Sequence, residues 1–353
     1  MMQLRAPRFW WRRKSLAGFV LSPFGSIYGS ITSRRMSQPG VSVDVPVICV
    51  GNVVLGGAGK TPTAIEVAKV CHNLGLRPGF LSRGYRGSEI GPIIVIPALH
   101  TVRDVGDEAV LLARHAPTVV SVDRPSGAKL LAGIGVDVVI MDDGLQNPSL
   151  EKDLAIVVID GERGVGNGLV FPAGPLRGPV APQIRRADAL VVLGPGPGGS
   201  AVRIAGRAGL PVLRAHTVSV RRRGLKRRPY LAFAGIAEPR KFYASLAAAG
   251  GVIGFTMDFP DHHLFSDADC ELILAEARRR DLVPITTEKD RVRLYGRAGP
   301  AERLANATET FPVRVRFDEP KRLEVLISDA VAHHAGVYRR SGLISAGAIL
   351  APA

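Results

Sequence analysis

The sequence predicts an α/β protein: a mostly parallel sheet with helices on both faces, plus a smaller second α/β domain. Three observations predict it. Short, continuous apolar runs alternate with helical patterns through roughly the first 200 residues, as expected for strands buried on both faces. The first such run leads into a glycine-rich turn and then a helix. The alternation lapses in a Gly-Pro stretch at 194–199 and resumes beyond a basic block with a second strand–helix series.

The elements follow in order. Residues 45–50 are β-branched and apolar and read as a strand, and 63–74 carry a helical pattern. Further strands are expected at 93–96, 118–122, 136–141, 154–159 and 189–193, with helices at 108–115 and 126–133. The second series runs strand 230–234, helix 240–249, strand 252–255, helix 267–280, strand 283–287. This divides the chain into an N-terminal segment (1–36), a core (37–210), a basic linker (211–228), a smaller α/β domain (229–333) and a weakly patterned tail (334–353). A length of 353 residues agrees with about two domains. Cys49, Cys71 and Cys270 have neither disulfide nor zinc spacing, which points to a reducing compartment.

The net charge of +15 is unevenly placed. No acidic residue precedes Asp44, whereas Arg5, Arg8, Arg12, Arg13, Lys14, Arg34 and Arg35 do. Such patches suit polyanions. The block at 221–228 reads as a solvated surface, and no nucleic-acid partner is expected. At the N-terminus the cations interleave with Phe9-Trp10-Trp11 and the apolar run 16–21, a composition suited to the membrane–water interface. The run is far shorter than the ~20 residues that span a bilayer, so lying on a membrane is favoured over crossing it. A helix packing its tryptophans on the protein's own core is the equal alternative.

Gly56-Gly57-Ala58-Gly59-Lys60-Thr61, after a strand and before a helix, is a phosphate-binding loop. Glycines turn backbone N–H groups toward phosphates, Lys60 reaches the β- and γ-phosphates, and the Thr61 hydroxyl ligates Mg²⁺. Val54 stands where the strict pattern has glycine. The run 136–141 ends in Asp142-Asp143-Gly144, delivering two carboxylates at the C-terminal end of a strand, where a P-loop NTPase-like sheet holds its metal. No guanine-reading Asn-Lys-x-Asp pattern occurs at Thr287-Glu288-Lys289-Asp290, leaving ATP as the default nucleotide.

Three further groups stand out, each alone more often structural than catalytic: Gly106-Asp107-Glu108 at a helix start, where carboxylates also complement the helix dipole, Phe259-Pro260-Asp261-His262-His263, with two His beside an Asp, and Ser82-Arg83-Gly84-Tyr85, a cation beside a short strand. In chain order, over roughly residues 45–295, they join Gly51-Asn52, the phosphate loop with Pro62, Asp142-Asp143-Gly144-Leu145-Gln146, Pro172-Ala173-Gly174-Pro175-Leu176-Arg177, Phe233-Ala234-Gly235-Ile236 and Thr286-Thr287-Glu288-Lys289-Asp290. Together they resemble the tetraacyldisaccharide 4′-kinase family of lipid A biosynthesis. Asn147 stands where that family often has His, and Gly178 where it often has Glu.

The resemblance implies ATP- and Mg²⁺-dependent phosphorylation of the 4′-hydroxyl of an anionic tetraacyldisaccharide 1-phosphate. It places the protein peripherally, at the cytoplasmic face of the bacterial inner membrane. It implies nucleotide binding by Gly56, Gly57, Ala58, Gly59, Lys60 and Thr61, metal binding by Thr61, Asp142, Asp143 and Glu108, and catalysis by Asp107, His262 and Lys60. His262 is preferred over His263 for its place beside Asp261. The alternatives are a P-loop kinase or ligase acting on a soluble small molecule, and a non-enzymatic nucleotide-dependent switch.

Overall fold

The computed structural model describes residues 6–12, 14–220, 225 and 228–340, with backbone alone for 337–340. The basic block at 221–228 lies outside the described residues apart from Leu225 and Arg228, as do Arg5, Arg13 and the tail beyond 340. The strands are β1 (Val47–Gly51), β2 (Pro78–Ser82), β3 (Ile93–Ile94), β4 (Thr118–Val120), β5 (Val138–Asp142), β6 (Leu154–Asp160), β7 (Ala189–Leu193), β8 (Val212–Ser219), β9 (Tyr230–Ala234), β10 (Ile253–Asp258), β11 (Val283–Thr287), β12 (Glu309–Phe311) and β13 (Val313–Phe317). The helices are α1 (Leu16–Met36), α2 (Lys60–Asn73), α3 (Val102–Val105), α4 (Asp107–Leu112), α5 (Arg124–Gly133), α6 (Val180–Ile184), α7 (Gly199–Arg207), α8 (Pro239–Ala248), α9 (Asp267–Arg279), α10 (Glu288–Val292), α11 (Pro300–Ala307) and α12 (Pro320–Arg340).

Among the described residues, nine strands form one sheet in the order β13-β8-β7-β6-β1-β5-β2-β4-β3. It is parallel except at its rims, where β13 and β3 run antiparallel to their neighbours. Period-two alternation explains the continuous apolar strands. Ile48, Val50, Val138 and Ile140 face one core with α2 and α12, while Val47, Cys49, Val139 and Met141 face the other with α5 and α7. β1 lies between β5 and β6, so the loop after it opens at the middle of the sheet's C-terminal edge. A second, wholly parallel sheet, β10-β9-β11-β12, is packed between α8 on one face and α9 and α11 on the other.

The expected domain limits need correction at two points. β8, within the stretch expected to be a linker, pairs with β7 inside the large sheet. β13 and α12, expected in the smaller domain and tail, return to the large sheet, where Val315, Phe317, Leu323 and Ile327 complete its core. The smaller unit is therefore an insertion between β8 and β13. The Gly-Pro stretch merely precedes α7, and the outer partner of β8 arrives about a hundred residues later, beyond any local composition signal.

The N-terminal segment splits its apolar residues between two fates. Trp10 is buried, donating to the Pro172 carbonyl at 3.1 Å and meeting Phe171 edge-on, and Trp11 lies under Arg163. The tryptophans thus pack on the protein itself. α1 then lays Gly18, Gly25 and Gly29 against the loop 167–179, and a Cβ at Gly25 would stand 2.6 Å from the Val170 carbonyl oxygen. Its opposite face exposes Leu16, Phe19, Val20, Phe24, Ile27 and Ile31. Pro23 sits inside this helix and cannot donate to Phe19, but the Ser22 hydroxyl donates to that carbonyl at 2.7 Å. No helix of the described residues is long and apolar enough to cross a membrane.

Candidate active site

The phosphate loop joins β1 to α2. Gly59 caps the helix at φ 80°, and a Cβ there would stand 2.2 Å from Leu193, so only glycine fits. Lys60 and Thr61 open α2, almost buried, beneath backbone N–H groups that have no partner within the helix. Val54 is buried and bridges antiparallel to Leu176. That position serves packing of the 167–177 loop, which accounts for its departure from glycine.

β5 carries Asp142 level with Val50 of β1. The Thr61 hydroxyl donates to Asp142 Oδ2 at 2.9 Å, while Asp142 Oδ1 is buried and has no hydrogen-bond partner among the described residues. Burial, and then the charges of Glu108 and Asp143, push the Asp142 carboxyl up to about 7. A buried carboxylate oxygen without a donor, beside a hydroxyl at a helix N-terminus, is a hard oxygen set that a divalent cation satisfies.

Asp143 is held differently. Its backbone is left-handed at φ 57°. Arg177 grips both carboxylate oxygens at 2.8 Å and donates to the Val54 carbonyl, and Lys60 Nζ lies 3.6 Å from Oδ2. Burial raises the Asp143 pKa, but Lys60 and then Arg177 outweigh it and hold the group ionised.

The residues expected as the acid–base pair come from the two units. Asp107 opens α4 in the large unit, and His262 stands in the loop after β10 with a left-handed backbone at φ 57°. His262 Nδ1 lies 2.9 Å from Asp107 Oδ2. Arg293, whose side chain is fully buried, donates to the same carboxylate through Nε at 2.9 Å and Nη2 at 2.5 Å, and through Nη1 to Asp290 and the Gly235 carbonyl. Burial acts to raise the Asp107 pKa, but Lys289, the His262 hydrogen bond and Arg293 together hold it far below the usual carboxylate range. Lys289 Nζ stands 3.0 Å from Glu108 Oε1 and 3.3 Å from His262 Nε2. Glu108, expected at the metal, is thus paired with a lysine of the smaller unit. Tyr85 meets the His262 ring edge-on, and Arg86 donates to the His262 carbonyl at 3.0 Å. His263 turns away to Asp269 at 2.9 Å and stacks on Phe259.

Four non-glycine residues among those described have positive φ, and three of them (Arg86, Asp143 and His262) stand here. Such backbone is sparsely populated, and it collects where a site over-determines it. Sequence reasoning named no role for Arg177, Lys289 or Arg293. The first two sit within quoted motifs, so proximity to those motifs was the available signal. Arg293 lies three residues past the last motif, and only its fold places it on Asp107. Asn147 closes its own turn, accepting from the Ser149 N–H at 2.8 Å. A side chain at Gly178 would meet Thr32 of α1.

Comparison with known proteins follows the same lines. Residues 17–332 match the family model for tetraacyldisaccharide-1-P 4′-kinase. The chain is 51% identical over 321 residues to a tetraacyldisaccharide 4′-kinase of Methylobacterium nodulans, covering 90% of this chain and 93% of that one. It is 47% identical over 333 residues to a protein of the same name from Bradyrhizobium sp. (strain ORS 278), covering 92% and 97%. Among solved structures, LpxK from Aquifex aeolicus in complex with ATP superposes with a TM-score of 0.71 at 27% identity, covering 90% of this chain and all of that one.

Proposed function

The chain belongs to the tetraacyldisaccharide-1-P 4′-kinase family, and from that premise we propose how its residues divide the work. The enzyme is an ATP-dependent phosphotransferase acting on the 4′-hydroxyl of a tetraacyldisaccharide 1-phosphate, a lipid A precursor. The backbone of 56–59 cradles the β- and γ-phosphates of ATP, and Lys60 answers the charge of the transferring group. Thr61 and Asp142 would hold Mg²⁺, with Asp143 behind them fixed by Arg177; the ion would supply neutralisation of phosphate charge. Glu108 contributes at longer range.

His262 takes the proton of the 4′-hydroxyl on Nε2. Asp107 is too firmly held as an anion to be a good base; it orients the ring and balances the imidazolium. The sugar oxygen forms the new bond to the γ-phosphorus, and the β–γ bridging oxygen leaves with its electron pair on ADP. The observation that carries this reading is the 2.9 Å contact joining Asp107 of one unit to His262 of the other, at the edge where the phosphate loop opens. With γ-labelled ATP and the lipid acceptor in detergent micelles, transfer is expected from the wild type. Asp107→Ala should lose transfer yet bind ATP normally; loss of ATP binding instead would assign Asp107 to the nucleotide.

The exposed apolar ridge of α1, flanked by Arg12, Lys14, Arg34 and Arg35, lies on the anionic cytoplasmic surface of the inner membrane, where the acceptor resides. Replacing Phe19, Phe24 and Ile27 by serine should release the protein from anionic vesicles and raise KM for micellar lipid. Tm should hold, because these side chains are exposed. Unchanged vesicle binding would remove α1 as the contact.

A further inference from the structure

His262 stands between two carboxylates and one ammonium. Asp107 faces Nδ1 at 2.9 Å, and Asp261 Oδ2 lies 3.9 Å from Nε2. Both favour an imidazolium. Arg293 offsets part of the Asp107 charge through its two bonds, Arg86 donates to the His262 carbonyl, and Tyr85 covers one side of the ring. The remaining charge facing the imidazole is Lys289, 3.3 Å from Nε2 and 3.0 Å from Glu108.

The donor inventory decides what this arrangement means. An ionised carboxylate only accepts, so Nδ1 carries the proton toward Asp107. An ammonium only donates, so Nε2 facing Lys289 carries a lone pair. A second proton on Nε2 would point an N–H at a cation. Lys289 therefore opposes the two carboxylates and faces Nε2 with a donor that only an unprotonated nitrogen can accept. The bond to Glu108 retains the ammonium beside the ring when a hydroxyl takes its place at Nε2.

We propose that Lys289 is a positioning residue for the phosphoryl transfer, keeping the His262 imidazole neutral with its Nε2 lone pair available. The inference rests on the reading of His262 as the proton acceptor. It also makes formation of the base depend on closure, since Lys289 reaches Glu108 of the large unit only when the two units meet.

The test compares wild type, Lys289→Met and Lys289→Arg by kcat and KM across pH, and by ¹⁵N NMR titration of the His262 ring. Removing the cation favours the imidazolium. In Lys289→Met the ring should therefore bind its second proton about one pH unit higher, and the acid limb of kcat should move up with it. Well below both midpoints kcat should fall about tenfold, the loss shrinking toward alkaline pH, with KM for ATP unchanged. Lys289→Arg should restore both midpoints. An unmoved NMR midpoint overturns the inference and leaves the role of His262 standing. A shifted midpoint in an enzyme whose His262→Ala variant retains full kcat overturns the underlying reading instead. A raised KM for ATP with unchanged kcat would assign Lys289 to the nucleotide and also overturn it.

Discussion

The phosphate pole and the acid–base pole of this site are built on different plans. Gly56–Thr61, Asp142, Asp143 and Arg177 all belong to the large unit, and β1 and β5, which lead into the phosphate loop and the aspartate pair, are hydrogen-bonded neighbours. Asp107, His262, Lys289 and Arg293 come from two units and meet only because the insertion between β8 and β13 folds over the sheet's C-terminal edge. On the proposed division of work, the nucleotide platform lies within one unit, while the acid–base pair needs residues of both and forms where they meet. A pair divided in this way is a means of limiting transfer to water before the acceptor is in place.

The largest expected effects test that division directly. Asp107→Ala and His262→Ala should each lower kcat by roughly 10²–10⁴-fold, with the double mutant scarcely worse than the worse single one, because groups acting as a unit are not additive. Lys60→Ala, at the other pole, should cost on the order of 10²-fold. Combined with His262→Ala its loss should multiply rather than saturate. Steady-state kinetics with melting temperatures on these variants decide the matter. Saturation across the poles would merge them, and multiplication within the acid–base pole would split it.

A second effect separates the poles by pH. The Asp142 carboxyl is pushed up to about 7, whereas Asp107 is held far below its ordinary value. The folded, metal-free protein therefore keeps a proton on Asp142 that the unfolded chain releases near pH 4. That contribution to stability is present at low pH and is lost as pH rises toward 7. Asp107 acts oppositely: its contribution is present above about pH 4 and is lost on acidification. Melting curves without metal should fall by a few degrees between about pH 5 and about pH 7.5, and Mg²⁺ should restore most at the upper end. Asp142→Asn should flatten this slope and abolish the Mg²⁺ response. Asp107→Asn should change neither; if it does, the cation belongs to the other pole.

The difference between the poles also explains what could be read from the chain. The phosphate loop and Asp142-Asp143 were legible because each is a contiguous run whose strand–turn–helix context repeats its chemistry in local sequence. The buried strands were legible by their apolar continuity. β8 and β13 were not, because half-exposed strands at and next to the rim, such as Val212–Ser219, lack that signal and their pairing spans about a hundred residues. Asp107 and His262 were legible only as pieces of a family pattern. Nothing local distinguishes Asp107 from a carboxylate capping α4, and nothing local marks Arg293 as the cation that holds it. The preference for His262 over His263 has its geometric counterpart in Asp269, which takes His263 into the cap of α9.

The smallest expected effect probes the closure that unites the second pole. Arg86 stands exposed on the loop after β2 and reaches across to the carbonyls of Asp261 and His262, at 3.5 and 3.0 Å. Its own backbone is left-handed at φ 65°, which fixes the direction of that reach. Its described contacts are these two carbonyls and the Tyr85 ring, so its loss removes a clasp rather than a reacting group. An exposed hydrogen bond of this kind contributes about 1 kcal/mol, a shift of severalfold in the closed population. Arg86→Ala should lower kcat a few-fold and leave KM for ATP unaltered, because the phosphate platform does not use the clasp. Arg86→Lys should recover part of the loss, since one ammonium donor still faces the two carbonyls. If Arg86→Ala instead weakens ATP binding, the clasp supports the platform too, and the two poles are not as independent as their construction implies. If neither parameter moves, the other contacts between the units, those of Arg293, Lys289, Lys241 and Arg163 among them, hold closure without the clasp.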